Sequence, residues 1–151
     1  MTPPLNIVRQ LLETQMLSQI DADYQANVKS GNMIDNLADR VNFQIVSEAT
    51  ELSRQLSSRE AVQSMVSSDS GPSLQKIVDN SKPIKTEIVH LIGNEQSPWV
   101  AAVLRNAATT RAGKPFKHEW VMIMEFDSQD RISTLKVYPD SHNLLAHSSD
   151  L

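Results

Sequence analysis

The dominant hydrophobic period of this chain changes near Lys82-Pro83. Before that point apolar residues recur every three or four positions, and after it they alternate. Leu5, Val8, Leu12, Met16 and Ile20 fall on one stripe of an α-helix, which Pro3-Pro4 can open because the first turn has no intrahelical N–H bond to lose. Asp21-Ala22-Asp23 reads as its end, Tyr24 to Val28 as a possible short helix, and Ser30-Gly31-Asn32 as a break. Met33, Ile34, Leu37 and Val41 then resume helical spacing, and Val41, Phe43 and Ile45 alternate with Asn42 and Gln44 as a short strand would. Ser57-Ser58-Arg59-Glu60 matches a capping box ahead of Ala61, Val62, Met65 and Val66. The serine-rich run from Ser67 to Ser73 reads as an insertion or helix break, with helix resuming at Leu74, Ile77 and Val78.

Beyond Pro83 the period is two. Ile84, Thr86, Ile88, His90 and Ile92 are expected on one face of a strand, and Lys85, Glu87, Val89 and Leu91 on the other. Further strands are expected from Trp99 to about Thr110, Phe116 to Asp127 and Ile132 to about Tyr138. Turns at Gly93-Asn94, Ala112-Gly113-Lys114 and Asp127-Ser128-Gln129-Asp130 join them. Four consecutive strands with short connections predict an antiparallel meander, and with the preceding helices an α+β domain. No repeat or linker divides the chain, so residues 1–151 are expected to form a single domain.

Length and composition narrow the classes. A chain of 151 residues with 40% hydrophobic and 21% charged residues is an ordinary globular sequence able to bury roughly two-thirds of its unfolded surface. Its longest apolar run, Trp99 to Leu104, is far short of the ~20 residues that cross a bilayer. The start, Met-Thr-Pro-Pro-Leu-Asn, has neither the basic opening nor the apolar stretch of a secretory signal, which suggests a cytoplasmic protein. Without cysteine there is no disulfide, thiol nucleophile or cysteine-bound zinc. A net charge of −4 with no basic cluster argues against nucleic acid as a partner.

Candidate chemistry follows from strand parity. Phe116, His118, Trp120, Met122, Met124 and Phe126 share one face of the third predicted strand of the meander, opposite Lys117, Glu119, Val121, Ile123 and Glu125. His118 is the only ionisable group on that apolar strip. Its pattern fits a core histidine bonded to a carbonyl as well as an acid-base group. His90 is expected beside Ile84, Ile88 and Ile92 as a structural histidine. On the last strand Thr134, Lys136, Tyr138 and Asp140 share a face. Asp140 either orients an imidazole or caps the Ser141-His142-Asn143 turn. Glu60 is a capping-box residue or an acid-base group, and Asp35 and Asp39 would share a helix face. There is no His-Glu-x-x-His spacing, phosphate-binding glycine loop or Gly-x-Ser-x-Gly elbow. With only four histidines, two of them in a polar tail, no metal site is expected.

The stretch Gly113-Lys114-Pro115-Phe116-Lys117-His118-Glu119-Trp120 through Phe126-Asp127, followed by Arg131-Ile132 and Tyr138-Pro139-Asp140-Ser141, resembles the SnoaL-like proteins of the nuclear transport factor 2-like superfamily. Ser58-Arg59-Glu60-Ala61-Val62 resembles that family's Gly-Arg-Glu-Ala-Ile helix start. The specific part covers residues 113–141. The resemblance implies a cone-shaped curved antiparallel sheet with N-terminal helices packed over a deep pocket, commonly dimeric through the outer sheet face. It also implies an isomerase or cyclase that works without cofactor or metal on a hydrophobic polycyclic polyketide or meroterpenoid intermediate of secondary metabolism. The alternative is a non-catalytic cone-fold binding or adaptor protein. His118 and Asp140 match the family's frequent acid-base pair, with Glu60 and Asp39 as further candidates. Phe116, Trp120, Met122, Met124 and Tyr138 are the candidate substrate contacts. One departure is that Ile45 stands where many relatives carry a first-strand carboxylate. A homodimer, or a heterodimer with a paralogue, is expected from apolar Val121, Ile123, Val89 and Leu91 on the outer face.

Overall fold

The computed structural model describes residues 4–20, 34–47, 53–67, 77–79, 81–83, 85–140, 142–143 and 146. The expected break at Asp21–Asp23, the short helix Tyr24–Val28, Met33, Ile84, and the segment from Ser68 to Leu74 lie outside these residues. In chain order the elements are helix α1 (Leu5–Ile20), a 3-10 turn (Ile34–Asn36), strands β1 (Leu37–Ile45) and β2 (Arg54–Leu56), helix α2 (Arg59–Ser67), and strands β3 (Lys85–Gly93), β4 (Trp99–Thr109), β5 (Pro115–Phe126) and β6 (Ile132–Pro139). Among the described residues no helix is long and apolar enough to cross a membrane.

The six strands form one curved, open sheet in the order β2-β1-β6-β5-β4-β3. β3 to β6 are the antiparallel meander read from the alternation. The sheet is mixed, because β1 runs parallel to β6, with β2 antiparallel at the edge. Residues 37–41 therefore extend a strand and do not form the helix expected from Met33, Ile34, Leu37 and Val41. The separation of four between Leu37 and Val41 satisfies both periods, since it is one helical turn and also an even step along a strand. Leu37, Val41 and Phe43 are all buried beneath the helices.

The core lies on the concave face. Val8 and Leu12 of α1 and Val62 of α2 pack on Val100, Ala102 and Leu104 of β4, Met122, Met124 and Phe126 of β5, and Ile132 and Leu135 of β6. α1 sits close to the β3–β4 hairpin. A Cβ at Gly93 would stand 3.2 Å from Val100 Cγ2, 3.3 Å from the Trp99 carbonyl oxygen and 3.4 Å from Leu5 Cδ2, so these neighbours would have to give by a few tenths of an ångström.

Three further local expectations are corrected. Ser58, not Ser57, caps α2. Its Oγ accepts from Ala61 N at 3.1 Å, so Glu60 stands at the second helical position, one short of where a capping-box glutamate reaches back. Ile77 is helical as expected, but Val78 no longer continues the helix and forms an antiparallel bridge with Thr110. On β3 a bulge falls between Ile88 and His90: Ile88 pairs with Leu104, but His90 pairs with Val103 and Leu91 with Ala102. One extra residue reverses the alternation. Leu91 therefore packs against the core, while His90 and Ile92 face outward and are exposed. The outer face carries Ile92, Ala101, Val103, Val121 and Ile123, bordered by the ion-paired ladder Glu87–Arg105–Glu119.

Candidate active site

The concave face of β5 carries Phe116, His118, Trp120, Met122, Met124 and Phe126, as parity requires. The first three rings stack along the strand. Phe116 and His118 have centroids 5.9 Å apart and planes 13° apart, and His118 and Trp120 are 5.4 Å and 19° apart. His118 is held flat between two aromatic faces and is only 5% exposed. Such a ring has little freedom left except its proton.

Its Nδ1 lies 3.0 Å from Asn143 Oδ1. An amide oxygen only accepts, so the Nδ1–H donates, and the lone pair resides on Nε2. Asn143 is itself held, since its backbone N–H donates to Asp140 Oδ1 at 3.0 Å. Of the two roles the sequence left open for Asp140, the contact observed is the turn cap, and it is Asn143, not Asp140, that bonds the imidazole. The capped turn after β6 delivers Asn143 to the ring. Burial pushes the His118 pKa below its ordinary value of 6.5, opposed by the Asn143 hydrogen bond and the Asp140 charge. The imidazole is therefore neutral at physiological pH and has a free lone pair, which is the state a general base needs.

Across β4 the residue in register with His118 is Asn106, 1% exposed, whose Oδ1 has no hydrogen-bond partner among the described residues. Neither asparagine was singled out from the sequence. Parity could have found Asn106, which follows Val100, Ala102 and Leu104 in the inward series. Asn143 had no such signal, because it lies beyond the last strand.

The remaining candidates are placed elsewhere. Met122 and Met124 belong to the closed core under α1 and α2, with Met124 fully buried. Tyr138 pairs with Val121 on the outer face, while its neighbours Val137 and Pro139 pair with inward Met122 and Trp120. It is thus not a concave-face contact. Asp39 lies on a strand, with its side chain 84% exposed and paired to Arg59 at 2.7 Å. Together with Arg59, Asp127, Gln129 and Arg131 it lines a polar cleft of about 310 Å³. That cleft adjoins the β5–β6 turn. The eight steps along the strand from Phe126 back to His118 span roughly 26 Å. Glu60, exposed beside Arg59 at the start of α2, shares that distant end. Neither carboxylate is brought to the imidazole. Among the described residues no group of three or more His, Asp or Glu side chains is arranged to hold a metal.

No family model matches the sequence, and no curated protein does. The fold is more telling. An NTF2-like protein of unknown function from Exiguobacterium sp. 255-15 superposes with a TM-score of 0.57 at 12% identity, covering 89% of this chain and 98% of that one. The chain folds as an NTF2-like cone. A protein assigned as an isomerase from Rhodopseudomonas palustris matches this cone over 100% of both chains, with a TM-score of 0.65 at 12% identity. The BvnE pinacolase of Penicillium brevicompactum matches with a TM-score of 0.64 at 11% identity, over 96% of this chain and 88% of its own. In this cone the imidazole sits on the concave side of β5, in register with Asn106 of β4.

Proposed function

We propose that this NTF2-like cone is a cofactor-free isomerase or cyclase in which His118 moves a proton on a hydrophobic polycyclic substrate, a polyketide or meroterpenoid intermediate of secondary metabolism. The observation that carries the proposal is the oriented, neutral, ring-stacked imidazole with its Nδ1–H committed to Asn143. Nε2 removes a proton from carbon beside a carbonyl, the electron pair moves toward the carbonyl oxygen, and the imidazolium returns the proton at another atom. Ring closure or isomerisation results with no net redox change. Phe116 and Trp120 supply an apolar, water-excluding wall that orients the substrate rings. Asp140 acts through Asn143. The fold shared with proteins named isomerase and pinacolase supports the reaction class.

The decisive experiment is metabolite profiling of a host with the gene removed. A precursor should accumulate, and be cleared by the wild-type gene and not by His118→Ala. Absence of any accumulating compound, or full rescue by His118→Ala, overturns the reading. The same cone is proposed to pair with a second copy or a paralogue through the outer face at Ile92, Val103, Val121 and Ile123, because an apolar sheet face of that extent is seldom left in water. Ile123→Glu should then give a monomer by light scattering at micromolar concentration. A monomeric wild type, alone and with the paralogue, counts against pairing.

A further inference from the structure

The β3–β4–β5 register assembles cations that lie far apart in the sequence. Lys85, Ala107 and Lys117 are in register across the three strands, so the two lysines stand two ladder steps, roughly 10 Å, apart with only a methyl group between them. Lys114 precedes Lys117 in the β4–β5 hairpin, where its backbone N–H and carbonyl pair with Thr110 at 3.0 and 2.8 Å. The loop ahead of β3 closes on the same end. Asp79 N–H donates to Thr109 O and Arg111 N–H to Ile77 O, both at 2.9 Å, which brings Lys82 and Arg111 close to Asp79. All five cations are exposed, in a chain whose net charge is −4. The acids nearby do not cancel them. Asp79 is the one carboxylate at this rim among the described residues, and its Oδ1 is taken up by Ser81 N–H at 2.9 Å and Ser81 Oγ–H at 2.6 Å. One row further along the strands Glu87 and Glu119 both pair with Arg105, and Asp140 accepts from Asn143 N–H. Lys85 and Lys117 have no carboxylate within ion-pairing distance among the described residues. Like charges so placed repel, a standing cost that an opposing acidic surface would remove.

We propose that this rim docks an acidic protein partner, one presenting several carboxylates on a helix or loop, beside the imidazole-bearing end of β5. The inference stands apart from the acid-base reading, because none of the five side chains belongs to the concave strip. The spread of the charges selects the class of partner. Five cations distributed over two strands, a hairpin turn and a loop exceed what one phosphate or carboxylate can engage, whereas carboxylates spaced along a protein surface meet them in turn. The Ala112-Gly113 tip has no large apolar side chain to bury in a bilayer, and basic residues without such an anchor hold a membrane weakly. A nucleic-acid duplex would run on past the rim, and its phosphates would meet Glu87, Glu119 and Asp140. A compact acidic surface ends where the rim ends. Exposed, strongly hydrated lysines suit such docking, since they steer encounter and set its salt dependence more than they add affinity.

The probes are a synthetic helical alanine peptide with glutamates along one face, the same peptide with glutamines, a duplex DNA oligonucleotide and phosphatidylserine vesicles, each titrated into the full chain at low salt by calorimetry. The glutamate peptide should bind about tenfold more tightly than the glutamine peptide, which is what a few exposed ion pairs supply, and the preference should shrink as salt is added. Lys85→Glu combined with Lys117→Glu should remove the preference. Arg9→Glu combined with Arg40→Glu makes the same change in net charge at exposed positions elsewhere and should keep it. His118→Ala should keep it too, so docking is read independently of turnover. As a measurement independent of any variant, the backbone amide resonances of Lys85, Lys114 and Lys117 in labelled wild-type protein should move with the glutamate peptide. Equal affinity for the two peptides in wild type, or a preference that survives the paired lysine changes or is lost as fully with the paired arginine changes, overturns the proposal. Tighter binding of the duplex or of the vesicles than of the glutamate peptide overturns it as well, and assigns the rim to that class of partner instead.

Discussion

The inward strip of β5 is one alternating series with two opposite fates. At the β5–β6 turn end, Met122, Met124 and Phe126 are sealed beneath α1 and α2 among aliphatic side chains. At the other end Phe116, His118 and Trp120 stack ring on ring, with Asn106 across the ladder and Asn143 at the imidazole nitrogen. The backbone geometry is the same at both ends, and the difference is what lies over it. Where helices supply apolar partners, the strip stabilises the fold. Where Asn143, from beyond β6, meets the strip, polar groups persist. Stability and function should therefore separate along one strand.

The largest effect is expected from attacking the closed end. Met124→Ala removes a fully buried side chain from a packed cluster and should destabilise by about 3 kcal/mol, read as a lower denaturant midpoint at constant m. The turnover of the remaining folded molecules should be near normal. A comparable loss of turnover per folded molecule would show that the two ends are not separable.

His118→Ala is the converse. It should lower turnover per folded molecule by about a hundredfold, with a stability cost at neutral pH smaller than that of Met124→Ala. Acid adds a second reading. Because burial holds the folded-state pKa of His118 below 6.5, the unfolded chain binds the proton first as pH falls. Stability is fully present above 6.5 and is lost through the window between 6.5 and the lower folded value. Wild type should thus lose more stability than His118→Ala between pH 7 and the bottom of that window. If both fall in parallel, the imidazole is not held neutral by burial.

How far this division could be read from sequence depends on which period governed each segment. Parity on β5 needed only uninterrupted alternation, so it placed His118 correctly between two inward rings. On β3 the same reasoning put His90 and Ile92 on the wrong face, because a bulge is a backbone event with no mark in the residue pattern. Leu37 and Val41 were read as helix because their spacing serves both periods. That error placed Asp39 on a helix face when it stands on an edge-side strand paired to Arg59. Tyr138 and Asp140 share a parity, but the strand ends between them. Tyr138 stays outside while the turn carries the Asp140 contact back to the concave face. Asn143 was illegible for the same reason, since a residue past the last strand has no parity.

Intermediate effects should come from the turn that links Asp140 to the imidazole. Asp140→Ala removes the acceptor for Asn143 N–H and should lower turnover by about tenfold, because Asn143 no longer holds the ring. Asp140→Asn keeps an acceptor of the same shape and should cost less. It also removes a charge that raises the His118 pKa, so the acid limb of the pH–rate profile should move to lower pH. An unmoved acid limb in Asp140→Asn would make Asp140 a turn cap alone.

The smallest effect should come from the carboxylates at the far end. Asp39 pairs with Arg59 at 2.7 Å, but the Asp39 side chain is 84% exposed, and solvent screens such a pair to a few tenths of a kcal/mol. Glu60, in the first turn of α2, interacts with the helix N-terminus and gains a similar amount from its dipole. Glu60→Gln and Asp39→Asn should each shift stability by about 0.5 kcal/mol or less and leave turnover within twofold of wild type. Raising the salt concentration should reduce even that difference, as it would for any exposed charge. The double variant is the sharper version, because the two residues flank Arg59 and would compound if the distant cleft carried the chemistry. Should Glu60→Gln alone abolish turnover while the protein remains fully folded, the catalytic centre would lie at the β5–β6 turn, and the assignment of roles to the two ends of β5 would have to be reversed.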